Sequence, residues 1–291
     1  MKHVDERANT LIEALPYIQR FAGETIVVKH GGSAMDDPEL RRAVAKDIVL
    51  MHCVGIRPIV VHGGGPRIND MMERLGIEPE FVDGLRVTPE QTMEVAQMVL
   101  IGSISKEIVS LINAEGGKAV GLSGKDANLI RARKMESEAD LGYVGEVESI
   151  NTDMLGTLSD AGCTVVVSPI GIGPKGESYN INADHVAAEL AVAVEAAKLI
   201  LLTDVPGVLA DPDEDESVIS TLTLAEAREL LDGDDIGQGM IPKLGSAISA
   251  VDGGVPRAHI IDGRVPHASL IEVFTDRGIG TMISDPSSGD D

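Results

Sequence analysis

The stretch Ile59-Val60-Val61-His62-Gly63-Gly64-Gly65-Pro66-Arg67-Ile68-Asn69-Asp70 decides how this chain folds. Its apolar residues predict a buried strand, its glycines a tight turn, and Pro66 the first turn of a helix. Glycines let a ligand approach bare backbone N–H groups, and the start of a helix adds unpaired N–H donors. The stretch therefore predicts an anion site at the carboxyl edge of a parallel sheet. Standing alone, it would fit an ordinary glycine-rich turn equally well.

A second stretch, Ile26-Val27-Val28-Lys29-His30-Gly31-Gly32-Ser33, repeats this design and places a lysine where the strand ends. Two glycine turns after two strands, one with a cation attached, indicate a phosphoryl-transfer site. Such a reaction needs cations and N–H donors around the transferred group rather than covalent chemistry from the protein.

Strands alternate with helices along the chain, which predicts an α/β protein with a mostly parallel sheet. We expect a three-layer αβα sandwich whose two lobes share one continuous sheet. Residues 4–22 predict an amphipathic helix that Pro16 should kink or split. Residues 81–88 predict a strand–turn–strand flap with Asp83-Gly84 as its turn, and residues 89–115 a long helix.

The composition limits the partners and the compartment. The 291 residues carry a net charge of −23, which argues against nucleic acid or an anionic membrane as a partner. No apolar run reaches the ~18 residues of a membrane span, and the first residues lack the apolar core of a signal peptide. Cys53 and Cys163 lie far apart without CxxC spacing, so we expect buried thiols in a reducing cytoplasm.

Motifs of several other enzyme classes are incomplete or missing. Gly171-Ile172-Gly173-Pro174-Lys175-Gly176 matches G-x-G-x-x-G, but no helix opens at once, so we interpret it as a mobile loop near the site. Residues 119–126 resemble a P-loop, but Asp126 replaces the Ser or Thr that must hold Mg²⁺. There is no HExxH, GxSxG or His/Cys cluster to indicate a metalloenzyme or an acyl hydrolase.

Three further residues complete the candidates for phosphoryl transfer. Lys243 starts a helix in Gly239-Met240-Ile241-Pro242-Lys243; a lone lysine is usually a solvated surface group, but this one lies beside glycine at an element boundary. Asp184 is either a helix N-cap or a carboxylate that orients the lysines. Arg86 on the flap suits bidentate capture of a carboxylate. An attacking carboxylate is already ionised at pH 7, so no general base is needed.

From about residue 10 to 283 the chain resembles the amino-acid kinase family, and within it the N-acetyl-L-glutamate kinases. The motifs that carry the resemblance are VxKxGG at 27–32, HGGGP at 62–66, GLRVT at 84–88, NxNAD at 180–184, LLTDVPGV at 201–208 and GMIPK at 239–243. HGGGP, GLRVT and NxNAD are the more specific to kinases of acylated amino acids. His30 departs from the family pattern, where Tyr or Leu is more usual, which leaves the packing behind Lys29 open.

The resemblance implies a role for each matched position. Lys29 and Lys243 stabilise the transferring phosphoryl group, Gly32 and Gly64 donate N–H bonds to it, and Asp184 organises the lysines. The acylated substrate is held by Gly64, Gly65, Arg86 and Asn180. ATP with Mg²⁺, the metal being held through the phosphates, is bound by Thr203, Asp204, Val205, Gly207, Val208, Gly239 and Met240.

The implied reaction moves the γ-phosphoryl group of ATP to the γ-carboxylate of N-acetyl-L-glutamate, the second step of arginine synthesis, in the cytoplasm. One alternative is a kinase for carrier-linked aminoadipate or glutamate, although the sequence shows no basic surface for an acidic carrier. Another is a catalytically silent arginine-binding protein of the same fold. The presence of both lysines together with Asp184 argues against this alternative.

The chain also resembles the arginine-sensitive branch of these kinases. This implies feedback inhibition by L-arginine, bound at Tyr17, His259, Glu272 and Gly278, although Glu272 could instead only cap or solvate a short helix. It implies a homo-hexamer built as a trimer of dimers, and it admits a PII-type nitrogen-signalling protein as a partner. The corresponding division is an oligomerisation helix (1–22), an acetylglutamate-binding and dimerisation lobe (23–194), a nucleotide lobe (195–284) and an acidic tail (285–291).

Overall fold

The computed structural model describes residues 2–35, 37–211, 214, 217–233, 236–237, 239–275 and 278–286, so most of the predicted acidic tail lies outside the described residues. The helices are α1 (Lys2–Phe21), α2 (Pro38–Cys53), α3 (Gly65–Arg74), α4 (Glu90–Gln97), α5 (Ser105–Ala114), α6 (Asp153–Asp160), α7 (Ala183–Ala193), α8 (Leu224–Asp232), α9 (Ile241–Asp252) and α10 (Ala268–Phe274). The strands are β1 (Thr25–His30), β2 (Arg57–His62), β3 (Phe81–Val82), β4 (Leu85–Arg86), β5 (Ala119–Ser123), β6 (Ile130–Lys134), β7 (Gly145–Ile150), β8 (Thr164–Ser168), β9 (Ile170–Ile172), β10 (Ser178–Asn180), β11 (Lys198–Thr203), β12 (Thr221–Thr223), β13 (Arg257–Asp262) and β14 (Thr281–Ser284).

The central sheet has eight strands in the order β12-β14-β13-β11-β1-β2-β8-β5. All its neighbours are parallel except β13 and β14, which run antiparallel. The two strands that precede the glycine turns are adjacent at its centre, with Lys29 opposite Val61 and His30 opposite His62. Both glycine turns therefore leave the same edge of the sheet side by side.

Helices cover both faces of this sheet, because its central strands are apolar on both sides. Val27 and Val61 point into one core cluster, which α7 and α9 close. Val28 and Val60 point the other way into a second cluster, to which α2 contributes Ile48. The predicted three-layer αβα sandwich with a mostly parallel central sheet is confirmed.

The predicted continuous sheet is present, because the eight-stranded sheet contains strands from both halves of the chain. The sequence does not predict the smaller sheet that lies beside it. A separate four-stranded sheet, in the order β10-β9-β6-β7, packs beside the central one, and β3 and β4 form a small hairpin of their own. The segment 171–176, which we expected to be a mobile loop, contributes part of β9 and the turn that leads to β10. Gly171 fits there because a Cβ at this position would lie 2.5 Å from the Cβ of Ala132.

The N-terminal helix α1 is continuous through Pro16, so the predicted split does not occur. The last turn and the middle of this helix differ in their environment. Phe21 is 5% exposed and belongs to the core, whereas Leu11 and Ile12 are 72% and 65% exposed. The last turn of α1 is therefore part of the fold, and the middle of the helix presents apolar side chains to solvent.

The predicted long helix is present over Glu90–Ala114, but its middle, Met98–Ile104, has π-helical hydrogen bonding. By length and composition alone it would be apolar enough to cross a membrane. Val95, Val99 and Leu100 are buried in the core, which accounts for this apolar composition. The helix also borders the glycine turn of residues 63–65, where its irregular segment shapes the site.

Candidate active site

The two glycine turns form the floor of a cleft of about 270 Å³. They are tied to each other because the N–H of Gly63 donates to the carbonyl of His30, with 2.9 Å between nitrogen and oxygen. Among the residues that line the cleft are Lys29, Gly31, Gly32, Gly64, Gly65, Arg86, Asn180 and Asp184. The structure thus brings together every residue predicted to hold the acylated substrate, and three of the four predicted catalytic residues.

Two of these glycines have a steric reason to be glycine. Gly32 has φ +71°, a left-handed conformation that disfavours other residues, and a Cβ there would lie 3.3 Å from the backbone nitrogen of Asp204. A Cβ on Gly64 would lie 2.5 Å and 2.6 Å from side-chain carbons of Ile104 and Leu100 in the π-helical segment. The backbone at both positions is therefore open to a ligand on one side and tightly enclosed on the other.

Lys29 and Asp184 form a buried ion pair at the base of the cleft. Lys29 Nζ lies 2.8 Å from Asp184 Oδ1, and the two side chains are 8% and 7% exposed. Asp184 is not the helix N-cap: Asn182 is, and its side chain accepts from the backbone N–H groups of Asp184 and His185. Since Asn182 provides the cap, the carboxylate of Asp184 is left to fix the position of the lysine ammonium group.

Arg86 forms one wall of the cleft at the end of the flap. Its guanidinium group lies 4.7 Å from the centroid of the Phe81 ring, donates to the carbonyl oxygen of Gly65 and contacts the sulfur of Met72. Burial lowers the pKa of Arg86 from its ordinary value, but the group remains a cation at neutral pH. A cation held in this way suits a ligand carboxylate entering the cleft.

A second cavity of about 340 Å³ adjoins the first on the far side of Gly32. The predicted nucleotide residues that line it, together with Lys243, are Thr203, Asp204, Val205, Gly207, Gly239 and Met240. Val208 is the exception, because it is fully buried and its N–H donates to Thr281 Oγ1 at 2.8 Å. Val208 therefore packs in the core and does not line the cavity.

Lys243 lies in this second cavity rather than beside Lys29. Its Nζ donates to the carbonyl of Gly239 at 2.9 Å, one turn back along the chain. Within the described part of the chain, the ion pair of Asp184 is with Lys29, so the structure does not show the predicted arrangement of one carboxylate between two lysines. The two lysines instead line different cavities, Lys29 the first and Lys243 the second.

A third cluster contains three of the four residues predicted to bind arginine. His259 Nδ1 lies 2.7 Å from Glu272 Oε1, the N–H of Ile279 donates to Glu272 Oε2, and the carboxylate borders Gly278. Glu272 is therefore buried and paired rather than a solvated cap. Burial raises the pKa of Glu272, but the His259 contacts outweigh this and bring it below its usual value.

Tyr17 lines a separate apolar groove of about 410 Å³ between α1 and α10. The two regions are connected through Lys198, which the sequence analysis missed. Lys198 is buried, donates to the carbonyl of Glu272 and lies 5.2 Å from the centroid of the Phe21 ring. A buried lysine beside an apolar helix end gives no signal in the sequence, because the two residues are far apart in the chain.

The site contains few carboxylates for a metal ion. Among the described residues there is no group of three or more His, Cys, Asp or Glu side chains that could hold one. Asp184 is already paired with Lys29, and Asp204 accepts from Thr203 Oγ1 at 3.2 Å. These residues do not fit a cation held by the protein alone, but they leave room for one carried by a phosphate ligand.

At one edge of a mostly parallel sheet the structure has a glycine-rich anion site, a buried lysine and a second cavity. This combination is typical of an α/β phosphotransferase. Residues 24–262 match the amino acid kinase family, and the chain belongs to this family. It is 55% identical to the acetylglutamate kinase of Moorella thermoacetica over 287 residues, which cover 96% of this chain and 97% of that one.

The structure is similar to those of an N-acetylglutamate synthase from Neisseria gonorrhoeae. The complex of that synthase with coenzyme A and N-acetyl-glutamate has a TM-score of 0.85 and 29% sequence identity, covering 96% of this chain and 63% of that one. Its complex with coenzyme A and L-arginine has a TM-score of 0.81 at the same identity, covering 95% and 65%. The likeness therefore concerns part of the synthase and nearly all of this chain.

Proposed function

We propose that this chain is an acetylglutamate kinase, which transfers the γ-phosphoryl group of ATP to the γ-carboxylate of N-acetyl-L-glutamate. The products are ADP and the acyl phosphate, N-acetyl-L-glutamyl 5-phosphate. The observation that carries the proposal is the cleft that joins the buried Lys29–Asp184 pair to Arg86. The relatives at 54–55% identity that bear this name support it.

Each element of the site has a task in this reaction. Arg86 and Asn180 hold the acylated substrate, with the α-carboxylate on the guanidinium group. The N–H groups of Gly32 and Gly64 and the ammonium groups of Lys29 and Lys243 surround the phosphoryl group as it moves between the cavities. The attacking carboxylate is already ionised at neutral pH, so the protein supplies position and charge rather than a base.

The nucleotide occupies the second cavity in this proposal, with the loop 203–208 and residues 239–243 around it. As part of the MgATP substrate, Mg²⁺ would be held through the phosphate oxygens and would supply neutralising charge to the transferred group. The supporting observation is the donor set, in which the nearby carboxylates are already engaged. Lys243 approaches the same phosphates from the α9 side.

The direct test compares ADP release with N-acetyl-L-glutamate, L-glutamate, L-aspartate and L-2-aminoadipate, each at several concentrations with MgATP. We expect turnover with N-acetyl-L-glutamate to exceed that with the free amino acids. A carrier-linked aminoadipate or glutamate is tested as a further acceptor, and turnover with it alone would favour the carrier-dependent alternative, which the net charge of −23 disfavours for an acidic carrier. Arginine binding without any turnover would instead identify a silent arginine-binding protein.

Replacing Arg86 by alanine should raise the KM for N-acetyl-L-glutamate about 10- to 100-fold, because hydrogen bonds to charged groups contribute about 1.5–3 kcal/mol each. The KM for ATP should stay within a factor of about two. Steady-state kinetics measure both constants, with Arg74→Ala on exposed α3 surface as the matched control. If the KM of the variant rose for ATP and not for N-acetyl-L-glutamate, the assignment of Arg86 to the acetylglutamate site would be wrong.

We further propose inhibition by L-arginine at the cluster of His259, Glu272 and Gly278, together with Tyr17 in the groove between α1 and α10. A buried carboxylate beside a glycine backbone offers acceptors to a guanidinium group. Inhibition requires arginine to bind an inactive arrangement more tightly than the active one. The exposed apolar residues of α1 support its role as the contact that builds a hexamer from dimers.

The division of tasks along the chain follows from these proposals. The acetylglutamate cleft is lined by residues between 29 and 184, within the proposed lobe 23–194, and the nucleotide cavity by residues between 203 and 243, within the lobe 195–284. We assign the enzyme to the cytoplasm because its substrates are soluble metabolites. A PII-type signalling protein remains a further partner to test by co-purification.

Deleting residues 1–12 should convert the hexamer into an active, arginine-insensitive dimer. The deletion stops before Phe21, because that residue is part of the core and its loss would disturb the fold. Light scattering gives the mass in solution, and ADP release with increasing arginine gives the inhibition. Leu11→Asp should act in the same direction, with Leu75→Asp, also more than half exposed, as the matched control. A truncated protein that stays hexameric and fully inhibited by arginine would rule out this role for α1.

A further inference from the structure

His62 is a fully buried histidine at the end of β2 that the reaction described above does not use. Both of its ring nitrogens lie at hydrogen-bond distance from a fixed partner. Nδ1 is 2.9 Å from the carbonyl oxygen of Gly63, and Nε2 is 2.9 Å from the hydroxyl oxygen of Ser168. The ring therefore connects the glycine turn to the end of the neighbouring strand β8.

These partners decide where the proton on the ring lies. A carbonyl oxygen can only accept, so Nδ1 must carry the hydrogen that is donated to Gly63. A neutral imidazole then has a lone pair on Nε2, which accepts the hydroxyl hydrogen of Ser168 at 2.9 Å; the other acceptor near this hydroxyl, the carbonyl oxygen of Leu100, lies farther away at 3.4 Å. Burial lowers the pKa of His62 to about 4, against the opposing effect of the Gly63 hydrogen bond, so the ring is neutral at pH 7.

The carbonyl of Gly63 and the N–H of Gly64 belong to one planar peptide group and point in opposite directions. A group that holds the carbonyl therefore also fixes the direction of the N–H. This control is needed here, because the peptide lies between two glycines, which restrict backbone rotation less than other residues do. On the other side, Leu100 and Ile104 leave no room for a side chain on Gly64.

We propose that His62 is a positioning residue: Ser168 holds it in the Nδ1–H tautomer, and its bond to the Gly63 carbonyl directs the Gly64 N–H toward the transferring phosphoryl group. The inference rests on the proposed function for the identity of that group. It assigns no contact with substrate to His62 itself. The geometry of the peptide, rather than the charge of the imidazole, is what His62 contributes to the transition state.

A pair of amide variants separates this role from simple packing. In His62→Asn the amide nitrogen takes the place of Nδ1 and keeps an N–H for Gly63, whereas in His62→Gln it reaches the place of Nε2 and the Gly63 bond is lost. We expect kcat to fall about 10- to 100-fold in the Gln variant, with KM values for both substrates within about three-fold, since a misdirected donor costs mainly transition-state stabilisation. The Asn variant should recover most of this loss.

Nitrogen-15 NMR of the whole protein, labelled at histidine, tests the tautomer without any substitution. We expect the His62 signal at pH 7 to show a protonated Nδ1 and a bare Nε2, and Ser168→Ala to weaken that preference and to lower kcat less than His62→Gln. An Nε2–H tautomer in the wild type would overturn the inference. Equal losses of kcat in the Asn and Gln variants at equal melting temperatures would overturn it as well.

The outcomes also separate this inference from the proposed function. If the wild type releases no ADP with N-acetyl-L-glutamate, the proposed function fails, whatever the tautomer. If the wild type is active and the two amide variants behave alike, only the role of His62 fails. Thermal unfolding of each variant shows whether a loss of activity is a loss of folded protein.

Discussion

Replacing Lys29 by alanine should lower kcat about 10²- to 10³-fold, while the KM values for ATP and N-acetyl-L-glutamate change by less than about five-fold. The physical reason is that Lys29 is already fixed by Asp184, with 2.8 Å between nitrogen and oxygen, before the substrates arrive. A preorganised cation interacts most strongly with the charge that develops on the transferring phosphoryl group, and losing such a contact costs about 3–4 kcal/mol.

Three further measurements test whether the loss of activity is specific to Lys29. Lys243→Ala should lower kcat in the same range, because Lys243 lines the cavity in which the proposed function places the nucleotide. Lys46→Ala, on the exposed face of α2, should leave both constants unchanged. Melting temperatures of all three variants distinguish a catalytic defect from unfolding. Near-normal turnover by Lys29→Ala would show that the cleft has been assigned the wrong chemistry.

Acid should destabilise this protein through its buried histidines. Burial, assisted by the nearby charges of His62, Lys29 and Arg41, lowers the pKa of His30 to about 3, and burial lowers that of His62 to about 4. Both values lie below the 6.5 of an exposed histidine, so the unfolded chain takes up protons first as the pH falls. The stability that these residues contribute is complete above pH 6.5 and is lost as the pH falls toward their folded pKa values.

The expected loss in the free energy of unfolding follows from about 1.4 kcal/mol for each pH unit and each titrating group. Between pH 6.5 and 4.5 each histidine should therefore remove about 2–3 kcal/mol from the free energy of unfolding. Asp47 acts in the opposite direction: burial raises its pKa to about 6, against the opposing contacts of His267, so its contribution increases as the pH falls. It offsets about 2 kcal/mol of the loss over the same interval.

Urea unfolding at several pH values between 7.5 and 4.5 measures this dependence. His30→Leu removes one buried titration and should reduce the loss by about 2–3 kcal/mol. His52→Leu on α2, where the side chain is only partly buried, is the control for introducing a leucine. If His30→Leu kept the full pH dependence of the wild type, the acid sensitivity would have another origin.

The sequence by itself predicted the parts of this protein that depend on neighbouring residues. The strands β1 and β2 follow from the apolar runs that precede the two glycine turns. The flap follows from Asp83 and Gly84, which both have positive φ, as its tight turn requires. The position of Lys29 and the glycine turns at one edge of the sheet follows from parallel strands alone.

The tertiary structure decided everything that depends on residues far apart in the chain. Asp184 reaches Lys29 because α7 packs on β1, and Ser168 reaches His62 because β8 pairs with β2. The separate sheet of β6, β7, β9 and β10 could not be predicted for the same reason, since a short strand shows which residues can pair but not which strand it joins. Val208, whose motif predicts a ligand contact, instead packs in the core, and its N–H donates to Thr281 on the distant strand β14. Local patterns fix the backbone at each turn, whereas the partners of each side chain are fixed only when the sheet has assembled.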